Sequence, residues 1–103
     1  MDRIKKLIEM LQAQPHDSFL LHALGLEYVK IGELELAIDS FQKVIAFNKN
    51  YVGTYYHLAQ TFEKQNKFDK AIAMYQEGIQ VATLVKDQHA KNELQMALDE
   101  LID

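Results

Sequence analysis

The apolar residues of this chain recur with helical spacing, and the same pattern is present twice. Residues 24–41 read LGLEYVKIGELELAIDSF, and residues 58–75 read LAQTFEKQNKFDKAIAMY. Matching positions, 34 residues apart, carry side chains of similar size: Leu24/Leu58, Gly25/Ala59, Tyr28/Phe62, Ala37/Ala71, Ile38/Ile72 and Phe41/Tyr75. Because the apolar positions lie three or four residues apart, each copy predicts two amphipathic helices.

Residues that favour turns separate the predicted helices. Gly32 and Asn66 occupy the same repeat position, and these two residue types most readily adopt the left-handed backbone that ends a helix. Each copy is therefore predicted to be a tight helical hairpin. Between the copies, Asn50 is predicted to cap a helix that begins near Tyr51, and Asp17 is predicted to cap the first helix of the first copy.

This order of large, small and aromatic residues resembles the tetratricopeptide repeat, whose consensus is Trp-x2-Leu-Gly-x2-Tyr, then Ala-x3-Phe, then Pro. The first copy matches it at Leu24, Gly25, Tyr28, Ala37 and Phe41, and the second at Leu58, Ala59, Phe62, Ala71 and Tyr75. The departures are Leu21 and Tyr55 at the Trp position, and Lys49 and Thr83 at the Pro position. The resemblance implies an all-α fold, an α-α superhelix of about six antiparallel helices in a short helical-hairpin solenoid.

The two ends of the chain are predicted to complete this stack. One period before Phe41 stands Leu7, so residues 1–14 are predicted to form the second helix of a preceding half-repeat. Its apolar stripe would cover the first hairpin and consists of Ile4, Leu7, Ile8 and Leu11. The expected single domain, 1–103, then contains this half-repeat, repeat one at 18–51, repeat two at 52–85 and a capping helix at 87–102.

The capping helix is predicted from a second apolar stripe, which consists of Ala90, Leu94, Ala97, Leu98 and Leu101. The helix before it is predicted to break near Lys86 and Asp87. That preceding helix contains Gly78, which costs about 1 kcal/mol relative to Ala in a helix interior. We expect a close contact with another helix to compensate for this cost.

Composition and charge narrow the classes of function. The chain has no Cys, which excludes disulfides, thiolate metal sites and cysteine nucleophiles and is consistent with a reducing compartment. Its formal net charge is −4, and it lacks the basic surface that nucleic-acid binding requires. No stretch approaches the roughly 20 apolar residues of a membrane span. We expect a cytoplasmic chain whose partner is another protein or a peptide, with no nucleic acid and no membrane involved.

Candidate chemistry is sparse. His16, His22, His57 and His89 form no i,i+4 pair and have no Cys, Asp or Glu at ligand spacing, so we expect no metal site. His22 and His57 lie on the first helices of their repeats and are expected to be polar groove histidines. The sequence suggests no His and acid partner for a serine nucleophile. We therefore expect no catalytic residue, no cofactor and no enzymatic activity.

The N-terminal segment allows two interpretations. Arg3, Lys5 and Lys6 stand beside the apolar residues of the first stripe, and basic amphipathic segments of this kind sometimes lie on membrane surfaces. Packing of the stripe on the first repeat explains the same pattern without lipid. We favour packing.

The resemblance implies a binding site on the concave face, which is lined by the first helix of each repeat. The family positions fall on Phe19, His22, Leu26, Val29 and Lys30, and on Gly53, Tyr56, Gln60, Glu63 and Lys64. Of these, the predicted partner-binding residues are Phe19, His22, Leu26, Val29, Tyr56, Gln60, Glu63 and Lys64. Several of them are apolar residues outside the predicted core, which is typical of a contact surface. An alternative is that the terminal helices cover these residues as additional core.

One subgroup of the family holds a peptide carboxylate with Lys and Asn. The corresponding positions here are His22, Leu26, Gly53 and His57, so that clamp is absent and apolar contacts with a few amide hydrogen bonds are expected instead. The leading hypothesis is a non-enzymatic adaptor that binds a segment of a partner protein. The alternative is self-association, for example as a homo-dimer, through the terminal helices or the concave face.

Overall fold

The protein, described by a computed structural model over residues 2–103, is built from α-helices. The first residue of the predicted segment 1–14 lies outside the described residues. The helices are α1 Asp2–Ala13, α2 Ser18–Lys30, α3 Leu34–Phe47, α4 Gly53–Lys64, α5 Phe68–Leu84 and α6 Gln88–Ile102. Residues 2–103 contain no β-strand, and the prediction of an all-α fold with about six helices is confirmed.

The helices pack as two compact units. The first unit comprises the described residues up to Tyr51, and the second comprises Val52–Asp103. In the first unit α2 packs against both α1 and α3, whereas in the second unit α5 packs against both α4 and α6. Each unit therefore has one central helix that is covered on two sides.

Three of the helices are followed by a residue with a left-handed backbone conformation. Gly32 has φ 78° and Asn66 has φ 60°, as predicted, and Lys86 has φ 62°. In each turn the N–H of the following residue donates to a carbonyl in the last turn of the helix, at 2.9 to 3.0 Å. These bonds run from Glu33 to Tyr28, from Lys67 to Phe62 and from Asp87 to Ala82. The predicted break near Lys86 and Asp87 is confirmed, and α5 ends at Leu84.

Side-chain caps begin two helices, and one predicted cap is wrong. The Leu20 N–H donates to Asp17 Oδ1 at 2.9 Å, which confirms the cap of α2. Asp87 caps α6 in the same way. Asn50 does not cap α4, because the chain first closes a turn after Asn48 and the helix begins only at Gly53, with no side-chain cap. Asn50 therefore lies two residues before the N-cap position.

The predicted stripe of α1 packs on α2. Leu7 belongs to a buried cluster with Leu20, Ala23 and Leu24, against which Ile4, Leu11 and Tyr28 pack. Ile8 departs from the prediction, because its side chain is 41% exposed; it follows Leu7 by one residue and so points about 100° around the helix. Arg3 Nε lies 3.2 Å from Glu27 Oε2 on α2. These contacts support the packing interpretation of the N-terminal segment.

Two glycines allow neighbouring helices to approach closely. A Cβ added at Gly25 would lie 2.7 Å from Phe41 Cδ1, inside the hairpin of α2 and α3. A Cβ added at Gly78 would lie 2.7 Å from Tyr55 Cβ and 3.1 Å from Leu94 Cδ1. Since Tyr55 is on α4 and Leu94 is on α6, Gly78 is the contact point of α5 with both of its neighbours. The expected close contact at Gly78 is confirmed.

We expect Gly78→Ala to lower the free energy of unfolding by about 1–3 kcal/mol, because the added methyl group overpacks a rigid contact. This loss outweighs the gain of about 1 kcal/mol in helix propensity. The measurement is urea denaturation followed by circular dichroism. The matched control is Gly53→Ala, since a Cβ at Gly53 meets no atom within 4 Å. Equal stability of the two variants would contradict the packing role of Gly78.

Candidate functional site

A cleft in the second unit lies between α4 and α6, with α5 at its base. Its volume is about 660 Å³. The lining residues are Tyr56, Gln60 and Glu63 of α4, Tyr75 of α5, and His89, Asn92, Glu93, Met96, Ala97, Glu100 and Leu101 of α6. The structure thus brings together three of the predicted partner-binding residues: Tyr56, Gln60 and Glu63.

The amphipathic pattern of α4 determines which side chains face the cleft. Residues 56, 60 and 63 lie on one side of the helix because they are spaced four and three positions apart. The opposite side is buried and carries Tyr55, Leu58, Ala59 and Phe62. The same pattern that buries one face of α4 therefore leaves a polar and aromatic face for the cleft.

Hydrogen bonds hold the α4 side of the cleft in place. Gln60 Nε2 donates to the Tyr56 hydroxyl oxygen at 2.8 Å, and the Tyr75 hydroxyl donates to Glu63 Oε2. The rings of Tyr56 and Tyr75 meet edge to face, with centroids 6.3 Å apart. Burial raises the pKa of the Tyr75 phenol, and the nearby Glu63 carboxylate raises it further. Tyr75 therefore stays a neutral donor to Glu63.

The α6 side of the cleft was missed by the sequence reasoning. A strict 34-residue period makes Leu94 the equivalent of Gln60 in the repeat. Leu94 is buried, however, and Met96 lines the cleft instead. Helix α5 has 17 residues whereas α3, its counterpart, has 14, and the connection that follows α5 is shorter than the one that follows α3. Helix α6 therefore does not keep the register of the 34-residue period.

A sequence signal for the α6 side does exist. Asn92, Met96 and Glu100 follow one another at intervals of four residues, so they lie along one line of the helix. The buried residues Leu94 and Leu98 mark a different face. Measuring the register of α6 from its own buried leucines, and not from the preceding repeats, would have identified the second wall.

The remaining predicted residues lie outside this cleft. Phe19 is 64% exposed on α2, while His22, Leu26 and Val29 on the same helix are partly buried. Lys64 is exposed at the end of α4 and is not among the residues that line the cleft. The cleft accordingly contains three of the eight predicted partner-binding residues.

A different groove is present in the first unit. It has a volume of about 430 Å³ and lies between α1 and α3, where the rings of His16 and Phe47 stack at 4.0 Å. None of the predicted residues is among its described lining residues. This groove is therefore separate from the face of α2 that carries Phe19.

His57 adjoins the cleft on α4. Its ring lies 5.5 Å from that of Tyr56. Burial lowers the pKa of the imidazole, and the Glu93 carboxylate across the cleft partly opposes this effect. The folded chain therefore favours the neutral form of His57.

Within residues 2–103, no three His, Asp or Glu side chains converge to form a metal site. None of the helices formed by these residues has the length and apolar character needed to cross a bilayer.

Acidification should destabilise the fold through His57. Its folded pKa lies below the unfolded value of 6.5, so its contribution is fully present above that value and is lost as the pH falls below it. We expect His57→Gln to show a smaller loss of unfolding free energy between pH 7 and pH 5 than the unmodified chain, measured by urea denaturation. Parallel slopes for the two proteins would contradict this role.

Comparisons with known proteins agree with this architecture. A model described as TPR repeat matches residues 25–66, and a model described as Tetratricopeptide repeat matches residues 52–83. Together the two matches span more than half of the chain. A search of curated proteins found no match.

Solved structures include similar domains. A tetratricopeptide repeat domain protein from Salinibacter ruber, solved by NMR, is 36% identical, with a TM-score of 0.80 over 84% of this chain and 88% of that chain. The TPR2B domain of yeast Sti1, in complex with pHsp70, has a TM-score of 0.89 at 17% identity over 95% and 78% of the two chains. PcrH, in complex with the chaperone binding region of PopD, has a TM-score of 0.89 at 15% identity over 96% and 75%.

The left-handed turns at Gly32 and Asn66, the small residues Gly25 and Ala59 and the two matched repeat models agree with one another. The relative from Salinibacter ruber extends the likeness across most of the chain. Repeats of this type are scaffolds for protein–protein interaction. The chain belongs to the tetratricopeptide repeat family.

Proposed function

We propose that this chain is a non-enzymatic adaptor that binds a segment of another protein in the cleft between α4 and α6. The observation that carries the proposal is the convergence of Tyr56, Gln60 and Glu63 with residues of α6 around a volume of about 660 Å³. Such a cleft is large enough for several side chains of a peptide. Phe19, His22, Leu26 and Val29 of α2, at family positions in the first unit, are proposed as contact residues separate from this cleft.

The chemistry of the cleft suits a peptide segment. Tyr56 is partly buried and Met96 is 65% exposed, so both offer apolar surface to a ligand. Asn92 Oδ1 accepts from Gln88 Nε2 at 2.9 Å, and the Asn92 amide N–H groups can donate to the backbone carbonyls of an extended or helical segment. A few amide hydrogen bonds combined with apolar contacts match the mode of recognition expected from the sequence.

Two neighbours in fold support the same kind of role. The yeast Sti1 domain is in complex with pHsp70, and PcrH is in complex with the chaperone binding region of PopD. We propose that this chain likewise captures a protein segment, from a partner of its own. The proposal includes a single domain divided into a half-repeat, two repeats and a capping helix at 1–14, 18–51, 52–85 and 87–102, and it includes the expected cytoplasmic location.

We expect Tyr56→Ala to weaken peptide binding at least tenfold, because aromatic residues at the centre of an interface commonly contribute about 2 kcal/mol or more. The probe is a synthetic peptide selected on the unmodified chain from a displayed library of random 12-residue sequences. Its affinity is measured by fluorescence anisotropy, and the helix content of each variant is checked by circular dichroism.

The matched control for this experiment is Leu84→Ala. Leu84 is 78% exposed at the end of α5 and does not line the cleft. Its truncation removes a similar apolar surface from the same unit and should leave the affinity unchanged. Full peptide affinity in Tyr56→Ala would rule out the cleft as the binding site.

Self-association is a second candidate, supported by apolar residues exposed on both terminal helices. Met10 on α1 is 52% exposed, and Met96 and Ile102 on α6 are 65% and 58% exposed. Most of the stripes first considered for self-association are instead used within their own units, since Leu7, Leu94 and Leu98 are buried. Each terminal helix therefore keeps only a small exposed apolar surface of its own.

Light scattering on a sizing column, over about two orders of magnitude in protein concentration, separates the two candidates, because self-association responds to concentration by mass action. We expect a constant mass near 11.9 kDa. A mass that rises with concentration would favour the self-associating function instead.

A further inference from the structure

We infer that the segment held in the cleft between α4 and α6 is cationic and presents Lys or Arg next to an apolar residue. This inference rests on the proposed function, because it specifies the partner of the same cleft. It follows from three features of the cleft: the carboxylates that line it, the apolar surface beside them, and the lack of Lys and Arg among its described lining residues.

The charge of the cleft has one sign. Glu63 on α4 and Glu93 and Glu100 on α6 line it, whereas its described lining residues include no Lys or Arg. Glu93 and Glu100 are seven residues apart, which places them two turns, or roughly 10 Å, apart along one side of α6. Carboxylates therefore stand on both walls, within the reach of one bound segment.

The cleft carboxylates take no part in the ion pairs of Arg3, Lys30 and Lys43. Arg3 and Lys30 pair with Glu27, and Lys43 pairs with Asp39. All of these pairs lie in the first unit. In a cleft with low-dielectric walls, carboxylates of one sign concentrate the field and attract an opposite charge.

Apolar surface next to the carboxylates suits the stems of Lys and Arg. The Tyr56 ring offers a face over which a cation is attracted by about 0.5–1 kcal/mol when the site is exposed. Met96 adds a flexible and polarizable side chain that adapts to different ligands. The methylene stem of a Lys or Arg side chain could pack on these groups while its charged end reaches Glu93 or Glu100.

An acidic segment is a poorer match for the cleft than a cationic one. The positions that hold a peptide carboxylate in one subgroup of the family carry His22, Leu26, Gly53 and His57 here. An acidic or phosphorylated segment would meet the three carboxylates of the cleft without a lysine or arginine to balance them, and like charges brought together are destabilising.

A second copy of this chain is the weaker of the possible occupants. Its basic residues near the N-terminus are Arg3, Lys5 and Lys6, but Arg3 is paired with Glu27. The apolar residues beside them, Ile4 and Leu7, pack against α2. Helix α1 thus keeps only Ile8 and Met10 as exposed large apolar residues beside Lys5 and Lys6, because the rest of its apolar stripe packs within its own unit. We assign the cleft to another protein.

The test is a selection of displayed random 12-residue peptides on the unmodified chain and on the double variant Glu93→Lys/Glu100→Lys. We expect peptides selected on the unmodified chain to be enriched in Lys and Arg relative to the starting library. A synthetic peptide of this set should bind the double variant at least about tenfold more weakly, because two attractive contacts become repulsive. The double variant should itself select acidic peptides.

The matched control is Glu9→Lys/Glu33→Lys, which changes the net charge by the same amount at exposed positions outside the cleft. It should retain the affinity and the preference of the unmodified chain. Equal losses in the control and in the cleft variant would overturn the inference, because the effect would then depend on net charge and not on the cleft.

The outcomes separate this inference from the proposed function. Peptides that lose affinity with Tyr56→Ala but show no enrichment in Lys and Arg would overturn the charge preference and leave the adaptor function standing. Failure to select any peptide, or binding unaffected by Tyr56→Ala, would overturn both. A chain that self-associates, and that becomes monomeric in Glu93→Lys/Glu100→Lys, would show that a second copy is the occupant and would overturn the assignment to another protein.

Discussion

The close contact at Gly78 is the constraint on which the second unit depends. A Cβ at this position would collide with Tyr55 of α4, at 2.7 Å, and would press on Leu94 of α6, at 3.1 Å, so the close packing of α5 against both helices relies on glycine here. That contact fixes the spacing of α4 and α6, and hence the width of the cleft between them. The cost of glycine inside a helix, about 1 kcal/mol, is offset by burial of Tyr55, Leu94 and their neighbours.

The two units use the same repeat pattern to make different surfaces. In the first unit the central helix is α2, and the groove lies between α1 and α3, with His16 stacked on Phe47. In the second unit the central helix is α5, and the cleft lies between α4 and α6. One helical hairpin cannot bury its own apolar face, so each unit takes a third helix. The third helix precedes the hairpin in the first unit and follows it in the second. Its position determines which side chains line the groove or the cleft.

Polar side chains in the cleft are oriented by contacts within the protein and not only by solvent. The Tyr75 hydroxyl binds Glu63, and Gln60 binds the Tyr56 hydroxyl, so the α4 wall is ordered before any partner arrives. Ordering in advance reduces the entropy that binding must remove. The α6 wall differs: its Met96 is 65% exposed and can adapt to a ligand. The α4 wall is thus held in place by hydrogen bonds, whereas the α6 wall can adapt. This combination is consistent with a bound segment of defined charge but variable sequence.

The sequence by itself determined the helices, their turns and most of the buried faces, because these features depend on local spacing and on backbone preference. Gly32 and Asn66 end helices at positions that need a left-handed backbone. Ala37, Phe41, Ala71 and Tyr75 are buried in both copies, as the repeat required. The face of α4 that carries Tyr56, Gln60 and Glu63 was likewise predictable. The start of α4 was not, because the turn after Asn48 competes with a cap at Asn50. The 34-residue period does not continue into α6, so the tertiary structure decided the second wall of the cleft. Packing of Leu94 and Leu98 into the core of the second unit is what places Asn92 and Met96 in the cleft.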